Sequence, residues 1–269
     1  MSRSGLRVMT WNLWWRFGPQ WRQRQPGILQ TLELVDADVV ALQEVWGADG
    51  TSQAHEFAAQ LGMHAAYAAP SLPPCPDPPE TPDQRDVEIG LGLLSRWPII
   101  WSRQVEMPAR HRIPPVALLA AVDHPAGPLH VVVACLEWEP AYNDDRLAQG
   151  QALADLATDP ALDGPLPVLV AGDLNAAPDS PVLRPLANTM TDAWAAGGGD
   201  PEAVTLSSSH PFAPVEAEEL IDQRIDHVFI RPGHPLQQLT VTQATLAGHP
   251  IAGLDPSDHR ALVCDLHWQ

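Results

Sequence analysis

Short apolar segments that end abruptly in polar residues recur along this chain. The clearest covers residues 168–171, a buried-strand pattern that leads directly into Gly172, Asp173, Leu174 and Asn175. Side chains alternate along extended backbone, so Asp173 and Asn175 are predicted to project to the same side where the strand ends. Gly172 leaves room for close approach to the backbone. Taken alone, the segment also fits a turn, because glycine, aspartate and asparagine are common turn residues.

The amino-terminal region predicts a strand, a helix and a second strand. Residues 6–14 combine β-branched, apolar and aromatic residues in a strand-like pattern and carry Asn12 near the end. Residues 38–45 form another short apolar run, which ends in Gln43-Glu44. This succession is typical of a layered α/β architecture. The intervening helix is indicated by apolar residues at Ile28, Leu32 and Val35.

The remainder of the chain predicts several more strands. Neighbouring strands follow one another without helices between them, which indicates a partly antiparallel sheet. The predicted strands are residues 86–95, 99–106, 116–122, 129–136, 224–231, 236–246 and 260–266. Short helices are predicted at residues 51–61 and 181–186.

A longer helix is predicted from residue 143 onward. Asn143 is a candidate N-cap, and Arg146 lies in the first helical turn. The buried stripe of this helix is expected at Leu147, Gly150, Ala154 and Ala157.

Two long segments carry no regular pattern. Residues 70–86 are too rich in proline for a helix or strand and predict an exposed loop, either a lid or a neutral insertion, with the insertion favoured. Residues 197–219 are rich in serine, threonine and proline. Loops on a rigid scaffold commonly determine specificity, so both segments are expected to influence substrate choice.

Length and composition favour one globular domain over residues 1–269. A hydrophobic fraction of 45% can fill a sizeable core. No apolar run approaches the roughly 20 residues that cross a bilayer, and the first residues lack the apolar core of a signal peptide. We therefore expect a cytoplasmic protein with no transmembrane segment, and no protein partner is implied. Cys75, Cys135 and Cys264 are odd in number and far apart, which indicates neither a disulfide framework nor a zinc site.

The chain is strongly acidic, with a formal net charge of −18 at pH 7. Its 15 basic residues are all arginine, so no lysine is available for Schiff-base chemistry. The overall field repels polyanions, and long nucleic acid is disfavoured unless a local basic patch or a metal ion offsets that field. Residues 109–112 are the densest positive cluster, either a second phosphate site or, as charge runs usually are, solvated surface.

Polar residues at predicted strand ends form a candidate constellation. Each has an ordinary explanation by itself, as a turn former, a surface acid or a partly exposed ring. Asp226 is harder to explain in this way, because it lies beside an apolar run and a buried acid needs a partner. The constellation comprises Asn12, Glu44, Asp173, Asn175, Asp226, Asp258 and His259.

Five short motifs that contain these residues resemble those of the endonuclease/exonuclease/phosphatase superfamily. In chain order they read TWN, QEV, GDLN, RIDHVF and SDH, and the resemblance runs from about Arg7 to Leu266. This superfamily comprises metal-dependent phosphoesterases, among them deoxyribonucleases, abasic-site endonucleases and neutral sphingomyelinases. The resemblance implies an α/β fold, a four-layer α-β-β-α sandwich of two mixed sheets with the site at one edge.

The resemblance also implies a divalent metal site. Glu44 would ligate Mg²⁺ or Mn²⁺, Asn12 would lie close to that ion, and Asp258 would sit in or near the site. Mg²⁺ takes hard oxygen ligands and retains waters, so one or two carboxylates and a substrate phosphate suffice. A bound ion polarises the phosphoryl oxygen and neutralises developing charge.

The remaining residues would perform in-line hydrolysis of a phosphodiester or phosphomonoester. By resemblance, Asp173 would orient or deprotonate the attacking water, with Asn175 beside it. His259 would contact the scissile phosphate, and Asp226 would hold its imidazole. A histidine held by an aspartate keeps one tautomer or stays protonated, and either form suits a phosphate.

One position departs from the family pattern. The segment ACLEW matches a family segment that usually reads THL, so Cys135 stands where histidine is usual. A thiol is a weak hydrogen-bond donor and cannot replace an imidazolium on a phosphate oxygen. An alternative function is therefore left open, a metal-binding module without turnover. The ordinary interpretation of Cys135 is a small buried residue. Arg146 matches an arginine common in the family, and both residues are candidates for substrate binding.

The phosphoester substrate is left open between a small molecule, a lipid head group and a nucleic acid. The net charge favours a small or uncharged-bodied diester, whereas nucleases are common in the resembled superfamily. Four tryptophans near the candidate site are available to stack on a base or an apolar group, although packing in core or rim is the more common role. They are Trp14, Trp15, Trp46 and Trp138.

Overall fold

Apolar segments of the chain form the strands of two sheets. The structure is a computed structural model, which describes residues 5–214 and 217–269. The strands are β1 (Gly5–Asn12), β2 (Val39–Ala48), β3 (Thr51–Ser52), β4 (His64–Ala68), β5 (Glu88–Ser95), β6 (Ile99–Glu106), β7 (Val116–His124), β8 (Gly127–Cys135), β9 (Val168–Asp173), β10 (Thr191–Asp192), β11 (Asp226–Arg231), β12 (Leu239–Ala247) and β13 (Ala261–Trp268). The helices are α1 (Trp21–Val35), α2 (Gln53–Leu61), α3 (Asn143–Ala157), α4 (Arg184–Thr189) and α5 (Ala193–Ala196).

Both sheets are mixed. The first has the strand order β12-β13-β1-β2-β5-β4, with β3 paired to β2. The second has the order β10-β11-β9-β8-β7-β6. In each sheet one pair is parallel, β1 with β2 and β8 with β9, and the other pairs are antiparallel. The predicted partly antiparallel pairing is confirmed, although the predicted neighbours β5 and β6 lie in different sheets.

The two sheets pack face to face around a shared apolar core. Val8 and Leu91 of the first sheet belong to the same buried cluster as Val131 and Leu169 of the second. Helices α1 and α2 cover the outer face of the first sheet, and α3 and α4 cover that of the second. The predicted four-layer α-β-β-α sandwich is confirmed. Within the described residues, no helix combines the length and apolar character needed to cross a bilayer.

One edge of the sandwich collects the strand ends that carry polar residues. Strand β1 ends at Asn12, which lies opposite Gln43 of the parallel strand β2. Strand β9 ends at Asp173, which lies between Cys135 of β8 and Asp226 of β11. Asp226, predicted inside a strand, is instead the first residue of β11. Because β11 runs antiparallel to β9, its first residue lies at the same edge.

Helix α3 differs from its prediction at both the cap and the buried face. Asn143 is the first helical residue and not the N-cap, which is Tyr142 without a capping side chain. Leu147, predicted in the buried stripe, is 39% exposed, whereas Leu153 is fully buried. The buried face also includes the polar Arg146, which a hydrophobic pattern does not register.

The proline-rich segment 70–86 is fastened to the amino-terminal part of the chain. Gln84 Nε2 donates a hydrogen bond of 3.1 Å to the carbonyl oxygen of Arg16. Asp83 forms an ion pair with Arg22 of α1. The segment thus bonds to the first loop, and Pro73, Pro74 and Glu80 line the cleft described below, while its role as a lid or a neutral insertion stays a prediction.

We predict that Gly172→Ala strongly destabilises the protein, because β8 and β9 meet closely at this residue. A Cβ on Gly172 would lie 2.0 Å from the carbonyl oxygen of Ala134, which is backbone and cannot rotate away. We expect urea denaturation to show a loss of about 3 kcal/mol in the free energy of unfolding. Gly164→Ala is the control, since no atom lies within 4 Å of its Cβ position. Equal losses in the two variants would contradict the prediction.

Candidate active site

The buried amide of Asn12 joins carboxylates from the two sheets. Its Nδ2 donates to Glu44 Oε1 at 2.8 Å and to Asp173 Oδ2 at 3.0 Å. Its Oδ1 accepts a hydrogen bond of 2.9 Å from the backbone N–H of Trp14, which sets the orientation of the amide. Asn12 therefore presents its side-chain nitrogen to Glu44 and holds the Glu44 carboxylate in position.

Glu44 lies at an irregular point of its strand and has one carboxylate oxygen without a hydrogen-bond partner in the described part of the chain. It lies where the pairing of β2 with β5 shifts register, and its φ of 50° is in the left-handed region. Bulges of this kind re-aim a side chain beside an active site. Among the described residues, Glu44 Oε2 is buried without a hydrogen-bond partner. Burial, followed by the charge of Asp258, raises the pKa of Glu44 to about 8.

These features fit a divalent cation. Buried acids held together cost free energy unless a cation or protons compensate their charge. Glu44 and Asp258 supply hard oxygen donors of the kind that Mg²⁺ and Mn²⁺ bind, and both line the same cleft. The ligating atoms of Asp173, Asp226 and His259 also lie within 4.8 Å of one another. This second group is less suited to a metal, because a protonated imidazole cannot ligate.

His259 and Asp226 form a buried pair. His259 Nδ1 lies 2.9 Å from Asp226 Oδ2, and His259 Nε2 lies 3.8 Å from Asp173 Oδ2. Burial alone would lower the pKa of His259, but the charges of Asp226 and Asp173 raise it well above its usual value. The imidazole is therefore held protonated, with Nδ1–H on Asp226 and Nε2–H beside Asp173.

Asp173 has the electrostatic setting of a general base. Burial, followed by the charge of Asp226, raises its pKa to about 7. Its Oδ1 accepts a hydrogen bond of 3.1 Å from the backbone N–H of Asn175. A carboxylate whose pKa lies near neutrality can accept a proton in one step and release it in the next.

Asn175 and Arg146 brace the segment that follows Asp173. Asn175 has a φ of 46°, and its Nδ2 donates to the carbonyl oxygen of Leu136 at 2.9 Å. Arg146 Nη1 donates to the Asn175 carbonyl oxygen at 2.9 Å, and its Nη2 bonds Asn143 Oδ1 at 2.9 Å. Arg146 is buried and lies behind the cleft wall, so it supports Asn175 from behind.

Cys135 lies at the floor of the cleft and in the core between the sheets. It is opposite Asp173 in the pairing of β8 with β9, and it is buried. Burial, with the nearby charge of Asp173, raises the pKa of its thiol well above the usual value. The thiol is therefore neutral at physiological pH and offers only a weak donor to the cleft.

A cleft of about 490 Å³ opens over these residues. Both irregular segments contribute to its lining, residues 70–86 through Pro73, Pro74 and Glu80, and residues 197–219 through described residues that include Leu206 and Phe212. Residues 215–216 lie outside the described chain. Trp14 and Trp138 line the cleft, whereas Trp15 and Trp46 pack in an apolar cluster beside β5. The lining residues are Trp14, Phe17, Gly18, Glu44, Pro73, Pro74, Glu80, Cys135, Trp138, Glu139, Asp173, Asn175, Leu206, Phe212, Ala213, Pro214, Ala217, Leu220, Asp258 and His259.

The positive cluster at residues 109–112 is not part of this cleft. Arg110 and His111 both contact Asp144, and Arg112 contacts Glu139 at 2.5 Å. The acidic partners offset the charge that would be needed for a second phosphate site.

Sequence reasoning missed a buried arginine that fastens the site. Arg24 of α1 donates through Nη1 to the carbonyl oxygens of Leu13 and Pro256, each at 3.1 Å. Through Nη2 it donates to the carbonyl oxygens of residues 14, 15 and 17, at 3.0 to 3.2 Å. Arg24 lies one turn before the apolar Ile28, and this helical spacing was the signal that could have found it.

Ser257 was also missed. Its Oγ donates to the carbonyl oxygen of Asn12 at 2.6 Å and accepts from the backbone N–H of His259 at 3.2 Å. This hydroxyl ties the turn before β13 to the end of β1. Serine immediately before an Asp-His pair was the available signal, because serine hydroxyls bond to backbone two residues on.

The sequence profile of the Endonuclease/Exonuclease/phosphatase family matches residues 9–259. The chain belongs to this family. Its members are divalent-metal-dependent hydrolases of phosphoester bonds. The resemblance carried by the five motifs is thereby confirmed. No curated protein sequence matches this chain.

Solved structures of family members have the same fold. Humanized D. rerio TDP2 superposes with a TM-score of 0.74 at 18% identity, covering 98% of this chain and 99% of that one. The human Nocturnin catalytic domain with bound sulfate gives 0.71 at 21% identity, covering 99% and 96%. An endonuclease/exonuclease/phosphatase from Beutenbergia cavernae DSM 12333 gives 0.70 at 22% identity, covering 98% and 71%.

We predict that Arg24→Lys destabilises this family member. An ammonium group offers three donors in place of the planar guanidinium fork, so several of the five carbonyl oxygens lose their partner. We expect urea denaturation to show a loss of about 3 kcal/mol in the free energy of unfolding. Arg184→Lys at the start of α4 is the control, because Arg184 is also a helical arginine but is exposed, and it should leave the free energy of unfolding unchanged. Similar denaturation midpoints for both variants would count against the prediction.

We predict that protonation of His227 lowers the stability of the protein at acidic pH. Its Nδ1 lies 2.8 Å from Arg224 Nη1, which can only donate, and its Nε2 lies 2.8 Å from the Ala176 carbonyl oxygen. The ring is therefore neutral, and burial followed by the Arg224 charge lowers its pKa to about 4. The unfolded histidine binds a proton near pH 6.5 and the folded one near pH 4, so stability is full above pH 6.5 and falls through this window.

At pH 5 the expected loss from His227 is about 2 kcal/mol relative to pH 7.5. Urea denaturation at the two pH values measures it. Because other groups titrate as well, the comparison is with His227→Gln, which has no titrating ring and should lose less stability. An equal loss in wild type and variant would assign the pH dependence to other residues.

Proposed function

We propose that this protein is a Mg²⁺- or Mn²⁺-dependent phosphodiesterase that acts by in-line attack of water. The observation that carries the proposal is the pairing, in one cleft, of a carboxylate whose pKa is raised to about 7 with a histidine held protonated. The environment raises the pKa of both groups, so the Asp173 carboxylate can act as a base near neutrality while the His259 imidazole keeps its charge as a donor. Such a pair suits proton removal from water and donation to a phosphate oxygen.

Asp173 is assigned to the attacking water. With the Asn12 and Asn175 donors holding its carboxylate in place, it accepts a proton as the water oxygen bonds to phosphorus. The bond from phosphorus to the leaving oxygen breaks in the same displacement. The hydrogen bonds from Asn12 and Asn175 would orient the Asp173 carboxylate toward the attacking water, and such positioning is a main contribution of a protein to phosphoryl transfer.

His259 is assigned to the phosphate. Asp226 holds its Nδ1–H, so the Nε2–H is free of that partner and can donate to a nonbridging or leaving oxygen. A charged donor in a water-poor site stabilises the negative charge that develops in the transition state. Asp226 thus acts through the imidazole, as a positioning residue.

Glu44 and Asp258 are assigned to the metal ion. The free Oε2 of Glu44 and its raised pKa support this assignment. When bound, the ion would polarise the phosphate and offset the acidic charge of the cleft. Asn12 holds the other oxygen of Glu44 and so orients the carboxylate for binding.

The alternative is a module of the same fold that binds metal without turnover, with Cys135 as its mark. The complete set of Asp173, Asn175, Asp226 and His259 favours an enzyme, since a binding function needs no protonated histidine beside a basic carboxylate. The similar structure of D. rerio TDP2 is a complex with a single-strand DNA product, which supports phosphodiester chemistry on this fold.

The test is hydrolysis of bis(p-nitrophenyl) phosphate with Mg²⁺, with Mn²⁺ and with EDTA. We expect turnover with either metal and none with EDTA. Asp173→Asn and His259→Ala should each lower kcat by about 10² to 10⁴, the range for loss of a proton-transfer group or charged donor. Asp179→Asn, six residues beyond Asp173 and exposed, is the matched control and should keep the wild-type rate.

Two results would reject the assignment. Turnover that survives both site variants would come from another site or a contaminant. Absence of turnover with both metals, on this probe and on single-stranded and duplex DNA, would support the binding module. In that case Cys135→His tests whether the thiol is the cause, because a gain in rate would show that the wild type lacks a donor at this position.

A further inference from the structure

The cleft has apolar walls and an acidic rim, a combination that points to a particular class of substrate. Building on the proposed function, we propose that the substrate is a small phosphodiester with an uncharged apolar or aromatic group beside the scissile phosphate. A polynucleotide strand does not fit the same surface. The reasons are the composition of the two walls, the signs of the charges around them and the size of the space.

One wall is aromatic. Trp14 and Phe212 pack with ring centroids 5.9 Å apart, and His210 packs edge-on against Trp14 at 5.1 Å. Phe212 is 51% exposed, although the ring of Trp14 beneath it is buried. Arg24 lies 4.5 Å from the centre of the Trp14 ring and bonds the Trp14 carbonyl oxygen, so contacts within the protein hold Trp14 in place. A preformed apolar surface costs little entropy when a ligand binds.

A second part of the cleft lining is also apolar. Leu206, Ala217 and Leu220 belong to one buried cluster, and Trp138 packs against it. All four line the cleft. The site residues Asp173 and His259 therefore share the cleft with two apolar surfaces, and a bound diester would place its organic groups against them.

Apart from His259, the charged residues that line the cleft are all acidic. Glu80 and Glu139 lie in the lining together with the acids Glu44, Asp173 and Asp258. No arginine of the described residues lines the cleft, and this chain contains no lysine. A metal ion offsets the acids at its own position only. Phosphates on either side of the scissile one would therefore face carboxylates.

The arginines behind the cleft are already engaged. Arg112 lies 2.9 Å from Glu137 and 2.5 Å from Glu139. Arg146 is 3.3 Å from Glu219 and is almost completely buried. Proteins that bind single strands combine aromatic stacking with a positively charged groove along the backbone. This cleft has the aromatic surface but lacks the positive groove. The net charge of −18 also disfavours binding of a polynucleotide.

The size of the cleft agrees with a single small ligand. A volume of about 490 Å³ lies within the range of roughly 300 to 1,000 Å³ that small-molecule sites occupy. One phosphate and one or two organic groups fill such a space.

The test compares esters that share one leaving group, so that differences in rate report recognition. The probes are p-nitrophenyl methyl phosphate, p-nitrophenyl hexyl phosphate, thymidine 5′-(p-nitrophenyl phosphate) and the p-nitrophenyl ester of a 12-nucleotide single-stranded DNA. We measure kcat/KM for each at one fixed Mg²⁺ or Mn²⁺ concentration. Burial of each methylene changes affinity roughly fourfold, so the hexyl ester should exceed the methyl ester about tenfold or more. The oligonucleotide ester should fall about tenfold below the mononucleotide ester.

Variants assign the preference to the aromatic wall and the acidic rim. Phe212→Ala should lower the hexyl-to-methyl ratio about tenfold, and Glu80→Arg should raise the oligonucleotide-to-mononucleotide ratio severalfold. Leu236→Ala is the control for Phe212, because this exposed leucine lies outside the cleft, and it should leave both ratios unchanged.

The outcomes separate this inference from the function on which it rests. A preference for the oligonucleotide ester, or equal rates for methyl and hexyl esters, overturns the substrate class and leaves the phosphodiesterase in place. Absence of turnover of every ester with both metals overturns the phosphodiesterase and this inference together. A hexyl preference that survives Phe212→Ala unchanged overturns the assignment to the aromatic wall.

Discussion

The bridge from Asn12 to Glu44 and Asp173 is the interaction on which the site depends. The two carboxylates come from different sheets, and one amide nitrogen holds both, at 2.8 and 3.0 Å. Polar strand ends from both sheets meet at this edge, so the bridge marks where the candidate site lies. It also limits how far the sheets can slide, because a small displacement would leave a buried carboxylate without its donor.

Concentrated negative charge is the main energetic cost of this arrangement. Glu44, Asp173 and Asp226 are buried near one another, and desolvation, followed by the charge of neighbouring carboxylates, raises the pKa values of Glu44 and Asp173. The protonated His259 and the buried Arg24 offset part of this charge. The same imbalance supports the proposed assignment of a cation and of a basic carboxylate to this site. The buried charges therefore destabilise the fold at this edge of the sandwich, and apolar packing between the sheets stabilises it elsewhere.

The walls of the cleft have a different origin from its floor. The floor consists of strand ends, which the sheets hold rigidly, whereas the walls consist of the irregular segments at residues 70–86 and 197–219. Arg24 connects the two, since it fastens both the Trp14 backbone and the turn before Asp258. Variation of the loops on such a scaffold changes substrate preference without disturbing the reacting groups.

The sequence by itself determined most of the strands, although not β3, β4 or β10, because the alternation of apolar and polar residues is a local property. The four-layer sandwich and the candidate constellation followed from the resemblance of five short motifs to the family. The sequence did not determine how those residues meet. Asn12 and Asp173 are 161 positions apart, and their contact depends on how the two sheets pack. Tertiary packing also decided that Arg24 is buried, that Leu153 and not Leu147 lies on the buried face of α3, and that residues 70–86 line the cleft. A hydrophobic pattern identifies which side of an element is apolar, but only tertiary packing decides which polar groups are buried with it and what they contact.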